Sequence, residues 1–142
     1  MPVRNAEAVW DGGLKDGGGK VKLGSGAFEG KYSFSTRFEN APGTNPEELI
    51  AAAHSACFSM ALSAGLGKAG FSPKHIHTVA KVHIDKVGEG FKITKIELTT
   101  DAQVPGIDDK QFQDFVAKTK TGCPVSQALA SVPMEVTATL GV

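Results

Sequence analysis

The stretch NPEELIAAAHSACFSMALSAGL, residues 45–66, predicts a long helix that carries a thiol near its middle. Asn45 is a favourable N-cap, Pro46 suits the first helical position, and Glu48 follows the cap by three residues, as in a capping box. Apolar side chains surround most of the predicted helix. A helix that is apolar on nearly every side is typical of a protein core.

The composition of the chain indicates one globular domain, residues 1–142, without a strongly charged partner. The 15 basic residues balance the 15 acidic ones, and no long basic run is present, so we expect no nucleic acid and no anionic lipid partner. Residues 49–66 are too rich in alanine and serine for a membrane span. The first residues lack the apolar segment of a secretory signal, which favours a cytoplasmic location.

The remaining patterns predict an α+β fold with helices on one face of a meandering sheet. Glycines crowd the first thirty residues, which is typical of short strands joined by tight turns. Residues 31–39 alternate between apolar and polar and predict a strand with Arg37 on its polar face. Residues 75–104 predict a long hairpin whose second arm shifts phase between Ile93 and Ile96, as at a bulge.

The last third of the chain predicts two helices and a closing strand. One helix begins at Asp108 and ends near Gly122, and a shorter one opens at Cys123 and Pro124. Residues 134–140 alternate as a strand.

The chain has two cysteines, Cys57 and Cys123, and in a reducing compartment such a pair favours redox chemistry or metal binding over a permanent bridge. A free thiol with a pKa near 8.5 is only about 3% ionised at pH 7, whereas the thiolate is the reactive form. Cys57 lies beyond the reach of the helix dipole, and burial raises a thiol pKa, so ionisation requires a nearby cation. His54 and Arg37 are the candidates, and Glu47 can hold an arginine by a two-pronged hydrogen bond.

Three motifs together resemble the OsmC/Ohr family of osmotically inducible and organic hydroperoxide resistance proteins. They are GTNPEEL at residues 43–49, ACF at residues 56–58 and GCPVSQ at residues 122–127. The resemblance covers essentially the whole chain and is greatest to the OsmC branch. It implies antiparallel sheets wrapped around long central helices in an intertwined homodimer.

The resemblance also implies a cysteine-based peroxidase active in the stress response without a bound cofactor. Cys57 would attack an organic hydroperoxide and become a sulfenic acid, and Cys123 would then form a redox-active disulfide with it. Arg37 and Glu47 are the matching arginine and glutamate. The implied reductant is a dithiol of the dihydrolipoamide type, carried by a lipoylated protein.

Other interpretations of these residues stay open. Buried cysteine is an ordinary core residue, so the chain is alternatively a redox sensor or a dimer that binds small apolar ligands. Phe58, Met60, Phe112 and Phe115 are candidates for an apolar substrate pocket, although aromatic side chains are more often core. His75 and His77 share a strand face, but no residue with suitable spacing completes a metal site, and we expect none.

Overall fold

The computed structural model describes residues 2–141 and divides into two compact units. One unit ends at Leu49 and the other begins at Ile50. The single domain of residues 1–142 stays a prediction.

The first unit is built on an antiparallel three-stranded sheet of order β1-β2-β3. Its glycines serve the turns, since Gly12 and Gly26 have φ angles of 92° and 80°, where other residues are disfavoured. The short strands predicted from the glycine-rich segment are therefore confirmed. The elements are β1 (Ala6–Asp11), β2 (Gly18–Leu23), β3 (Glu29–Tyr32) and the helix α1 (Phe34–Phe38).

The strand predicted to carry Arg37 is wrong, because most of it folds as α1. Ser33 and Thr36 form a reciprocal capping box, in which each side chain accepts a hydrogen bond from the other's backbone N–H, at 2.8 and 3.3 Å. The rings of Phe34 and Phe38 lie 5.0 Å apart, one helical turn from each other. The alternating pattern is thus overridden by a local cap and an aromatic pair.

The second unit contains a second three-stranded sheet and most of the long helix α2 (Pro46–Lys68), whose residues up to Leu49 belong to the first unit. The predicted cap of α2 is present, since Asn45 Oδ1 accepts a hydrogen bond of 2.7 Å from the backbone N–H of Glu48. β4 (His75–Val87) and β5 (Gly90–Gln103) form the predicted hairpin. The register shifts beside His83, as the predicted bulge requires.

The third strand of this sheet, β6 (Met134–Gly141), pairs with β5 in parallel. The expectation of purely antiparallel sheets is therefore wrong. Parallel neighbours need a long connection, and this one contains the helices α3 (Asp109–Gly122) and α4 (Pro124–Ala128). The connection also carries Cys123, which lies between α3 and α4.

One face of α2 packs into the core of the second unit. Phe58, Leu62 and Leu66 recur every four residues, are fully buried and meet side chains of β5 and α3 such as Ile96 and Phe112. The opposite face is exposed and carries mostly small side chains (Ala52, Ala53, Ala56, Ser63, Ala64 and Gly67). By length and composition alone α2 is a candidate membrane span, a property that core helices of soluble proteins share.

Candidate active site

The two thiols lie side by side in the second unit. The sulfur atoms of Cys57 and Cys123 are 2.8 Å apart and hydrogen-bonded to each other, and neither cysteine is in a disulfide. Cys57 lies in α2 and is half-buried, whereas Cys123 is 0% exposed. The fold thus brings together two sulfur atoms that are 66 residues apart in sequence.

The surroundings of the thiols affect their ionisation in opposite directions. Burial raises the pKa of Cys57, and its hydrogen bond with Cys123 raises it further. Burial also opposes ionisation of Cys123, but hydrogen bonds from the Cys57 thiol, from the backbone and hydroxyl of Ser126 and from the backbone of Val125 together lower its pKa. Within this unit, Cys123 is therefore the thiol that ionises first.

A buried polar link lies behind Cys123. The Ser126 hydroxyl is a hydrogen-bond partner of the Cys123 sulfur, and its oxygen lies 2.7 Å from Nε2 of His54. Both Ser126 and His54 are buried, and burial lowers the pKa of His54, so its imidazole is neutral. His54, one of the two candidate cations, is thus a neutral, hydrogen-bonded core residue.

Arg37 and Glu47 form the predicted two-pronged pair in the first unit. Nε and Nη2 of Arg37 each donate a hydrogen bond of 2.9 Å, one to each carboxylate oxygen of Glu47. The Glu47 side chain is 8% exposed and that of Arg37 is 37% exposed. The pair positions Arg37 from the first turn of α2, and the guanidinium carbon also lies 5.3 Å from the ring centre of Phe38.

The four site residues thus form two pairs, one in each unit: an ion pair and a thiol pair. The four apolar candidates separate as well. Phe58 and Phe112 are 0% exposed and belong to the core, and their role in a pocket stays a prediction. Met60 is 75% exposed and Phe115 packs at the edge of the core beside Phe71, and their role in a pocket stays a prediction.

Sequence reasoning missed the contribution of Ser126 to the thiol pair. Ser126 follows Cys123 by three residues and is the third residue of α4. At this spacing its side chain lies on the same side of the helix as the Cys123 side chain and can reach the sulfur. That spacing is a readable signal. The second partner, His54, is 72 residues away and gives no local signal.

No cluster of three or more His, Cys, Asp or Glu side chains able to hold a metal ion occurs within residues 2–141. What the thiol pair offers is reversible chemistry between two adjacent sulfur atoms.

Comparison with known proteins identifies the family. The family model described as OsmC-like protein matches residues 38–137. "Peroxiredoxin OsmC" of Escherichia coli (strain K12) is 54% identical over 127 residues, which cover 89% of both chains. An "Organic hydroperoxide resistance protein" of Xanthomonas axonopodis pv. citri is 37% identical over 87 residues, covering 61% of this chain and 59% of that protein.

Solved structures agree with the fold. The crystal structure of an organic hydroperoxide resistance protein from Elizabethkingia anophelis covers 99% of each chain with a TM-score of 0.75 and 28% identity. That of an OsmC-like protein from Mycoplasma pneumoniae has a TM-score of 0.77 at 14% identity and 99% coverage of each chain, which supports the fold alone. The chain described here therefore belongs to the OsmC/Ohr family.

Proposed function

We propose that this protein is a thiol-dependent peroxidase that reduces organic hydroperoxides to alcohols. The names of its relatives, a peroxiredoxin and an organic hydroperoxide resistance protein, support a peroxidase-type role. The observation that carries the finer proposal is the 2.8 Å separation of the Cys57 and Cys123 sulfur atoms. Two reduced thiols at that distance can form a disulfide with little movement.

In the proposed reaction the Cys57 thiolate attacks the terminal oxygen of the hydroperoxide. The O–O bond breaks, an S–O bond forms, and the alkoxide leaves with a proton as the alcohol. Cys57 leaves this step as a sulfenic acid. We assign the attack to Cys57 because it is half-buried, whereas Cys123 has no exposed surface.

Arg37 has the role of favouring the Cys57 thiolate by its positive charge, and Glu47 holds the guanidinium in a fixed orientation. A cation is needed because burial and the hydrogen bond with Cys123 raise the pKa of Cys57. The two-pronged bond to Glu47 supports this assignment, since it fixes the plane of the guanidinium.

The Cys123 thiolate then attacks the Cys57 sulfenic acid, which forms the disulfide and releases hydroxide that takes up a proton as water. An external dithiol reopens the disulfide and leaves as its own cyclic disulfide, and dihydrolipoamide on a lipoylated protein is the donor that we propose. The cycle requires no bound cofactor. Its reversible end point protects Cys57 from further oxidation.

We further propose a cytoplasmic homodimer in which the exposed face of α2 is covered by a second copy. Only 22% of the most apolar window of this helix is buried within one chain, and the exposed side chains are small enough for close helix contact. Analytical ultracentrifugation tests this proposal. A monomer at micromolar concentration would contradict it.

Peroxide consumption by the purified protein tests the proposed activity. With dithiothreitol or reduced lipoamide as the donor, we expect faster turnover of cumene hydroperoxide than of hydrogen peroxide. Intact-mass measurement after one equivalent of hydroperoxide should show the loss of two hydrogens that a disulfide entails. A mass that does not change would favour a ligand-binding role and would contradict the peroxidase.

A further inference from the structure

Three polar groups form a continuous line that ends at a reacting sulfur. His54, on α2, is fully buried, and its Nε2 lies 2.7 Å from the Ser126 hydroxyl oxygen. Ser126 is 3% exposed and is also a hydrogen-bond partner of the Cys123 sulfur. An imidazole and a hydroxyl are costly to bury, which makes their alignment behind one thiol informative.

The hydrogen bonds of the line fix its polarity. Nδ1 of His54 has no hydrogen-bond partner among residues 2–141. A neutral imidazole has one N–H donor and one acceptor nitrogen, so a proton on Nε2 leaves no buried donor unpaired. The Ser126 oxygen then accepts from Nε2–H, and its own hydrogen is directed to the Cys123 sulfur.

We propose that His54 is a positioning residue for Cys123: its imidazole orients the Ser126 hydroxyl so that this hydroxyl donates to the Cys123 thiolate. The inference rests on the proposed function and assigns the two residues to one of its steps. Ser126 contacts a reacting atom, whereas His54 acts through Ser126.

The step that benefits most is the reduction of the disulfide. The external thiolate attacks the Cys57 sulfur, since Cys123 is fully buried. A bond forms between the donor and Cys57, the Cys57–Cys123 bond breaks, and its electron pair leaves on Cys123 as a thiolate. A leaving thiol of lower pKa departs faster, so the Ser126 hydrogen bond accelerates this step.

The test measures the pKa of Cys123 alone. In Cys57→Ser protein Cys123 is the only thiol, and its thiolate absorbance near 240 nm is followed against pH. We expect Ser126→Ala to lower the thiolate fraction about tenfold at pH values well below the pKa, which corresponds to about one pKa unit for a lost hydrogen bond to a charge. His54→Met should lower the thiolate fraction of Cys123 about threefold to tenfold. His54→Gln should lower it less than about twofold, because the glutamine amide N–H can replace Nε2–H.

A matched control is Ser59→Ala, which removes a hydroxyl on α2 that donates a hydrogen bond of 2.8 Å to the Thr78 hydroxyl. It should leave the Cys123 titration unchanged. In the Ser126→Ala background, His54→Met should have no further effect, because the link is already broken. If His54→Met does not fold, His54→Asn, whose amide is too short to reach Ser126, takes its place.

An unchanged Cys123 pKa in Ser126→Ala or in both His54 variants would overturn the proposal, as would equal effects of His54→Met and His54→Gln. The titration needs no peroxide. A wild-type protein that fails to consume hydroperoxide would therefore contradict the proposed function, while the pKa values would still decide whether the link exists.

Discussion

The ion pair in the first unit and the thiol pair in the second differ in what determines their electrostatics. Arg37 is partly exposed and is held by two hydrogen bonds to a carboxylate, so its charge is fixed in place by another charge. Cys57 is half-buried and Cys123 is buried, and within the second unit burial and hydrogen bonds shift the pKa values of the two thiols in opposite directions.

The difference teaches where each cysteine obtains its reactivity. Cys123 has backbone and hydroxyl donors around it, and its pKa is lowered within its own unit. Cys57 has none sufficient to offset burial, and its pKa is raised. In the proposed cycle, local hydrogen bonds thus favour the thiolate of Cys123, whereas the thiolate of Cys57 has to be favoured by the charge of Arg37.

Replacing the attacking sulfur is the change with the largest expected effect. Cys57→Ser should reduce hydroperoxide consumption at least about a thousandfold, because no other group takes over the nucleophile's role. Turnover is measured with cumene hydroperoxide and reduced lipoamide. Cys123→Ser is the matched control and should still consume about one equivalent of hydroperoxide before it stops. Full activity in Cys57→Ser would refute the mechanism.

Removing the guanidinium tests the contrast between the two thiols directly. Arg37→Ala should raise the Cys57 pKa, measured in Cys123→Ser protein, and lower kcat/KM about a hundredfold, as the loss of a positioned donor does. Arg37→Lys keeps the charge without the two-pronged geometry, so its Cys57 pKa and its kcat/KM should lie between those of the wild type and of Arg37→Ala. If the Cys57 titration is the same in all three proteins, the arginine has no part in its ionisation.

Neutralising the carboxylate should have a smaller effect. Glu47→Gln leaves the charge of Arg37 in place but replaces two charge-assisted hydrogen bonds by at most one, and we expect about a tenfold decrease in kcat/KM. Glu48→Gln, which changes a neighbouring exposed carboxylate of the same helical turn, is the control. Equal losses in the two variants would show that only helix stability was affected.

The smallest expected effect concerns the free energy of unfolding and tests the burial of His54. Burial lowers the pKa of His54, so below its ordinary value near 6.5 the unfolded chain binds more protons than the folded one. The free energy of unfolding should therefore decrease as the pH falls through about 6.5 toward the lower folded-state pKa. Urea unfolding of the wild-type and His54→Gln proteins between pH 7.5 and 5 measures this free energy. If it depends on pH in the same way in both proteins, the prediction is wrong.

Features set by neighbours in sequence could be predicted. The cap of α2, the bulge in the hairpin and the pairing of Arg37 with Glu47 all follow from residues at most ten positions apart or from one strand's own pattern. Local signals can also conflict. The alternation around Arg37 predicted a strand, but the Ser33 cap and the Phe34–Phe38 contact stabilise a helix.

Features set by distant packing could not be predicted. The direction of β6 depends on how the α3–α4 connection returns to the sheet, and alternation alone does not distinguish parallel from antiparallel pairing. The contact between His54 and Ser126 likewise exists only after α2 and α4 have packed. The burial of Phe58 and Phe112 follows from the same packing, since an aromatic residue looks alike in sequence whether it lines a core or a pocket.

The parallel pairing of β6 fixes both ends of the segment that carries Cys123. This segment leaves β5 and returns as β6, and the two strands are hydrogen-bonded neighbours from the Ile96–Met134 pair to the Gln103–Gly141 pair. In the proposed cycle Cys123 therefore meets an oxidised Cys57 as a tethered neighbour, at an effective concentration that no free thiol in solution reaches.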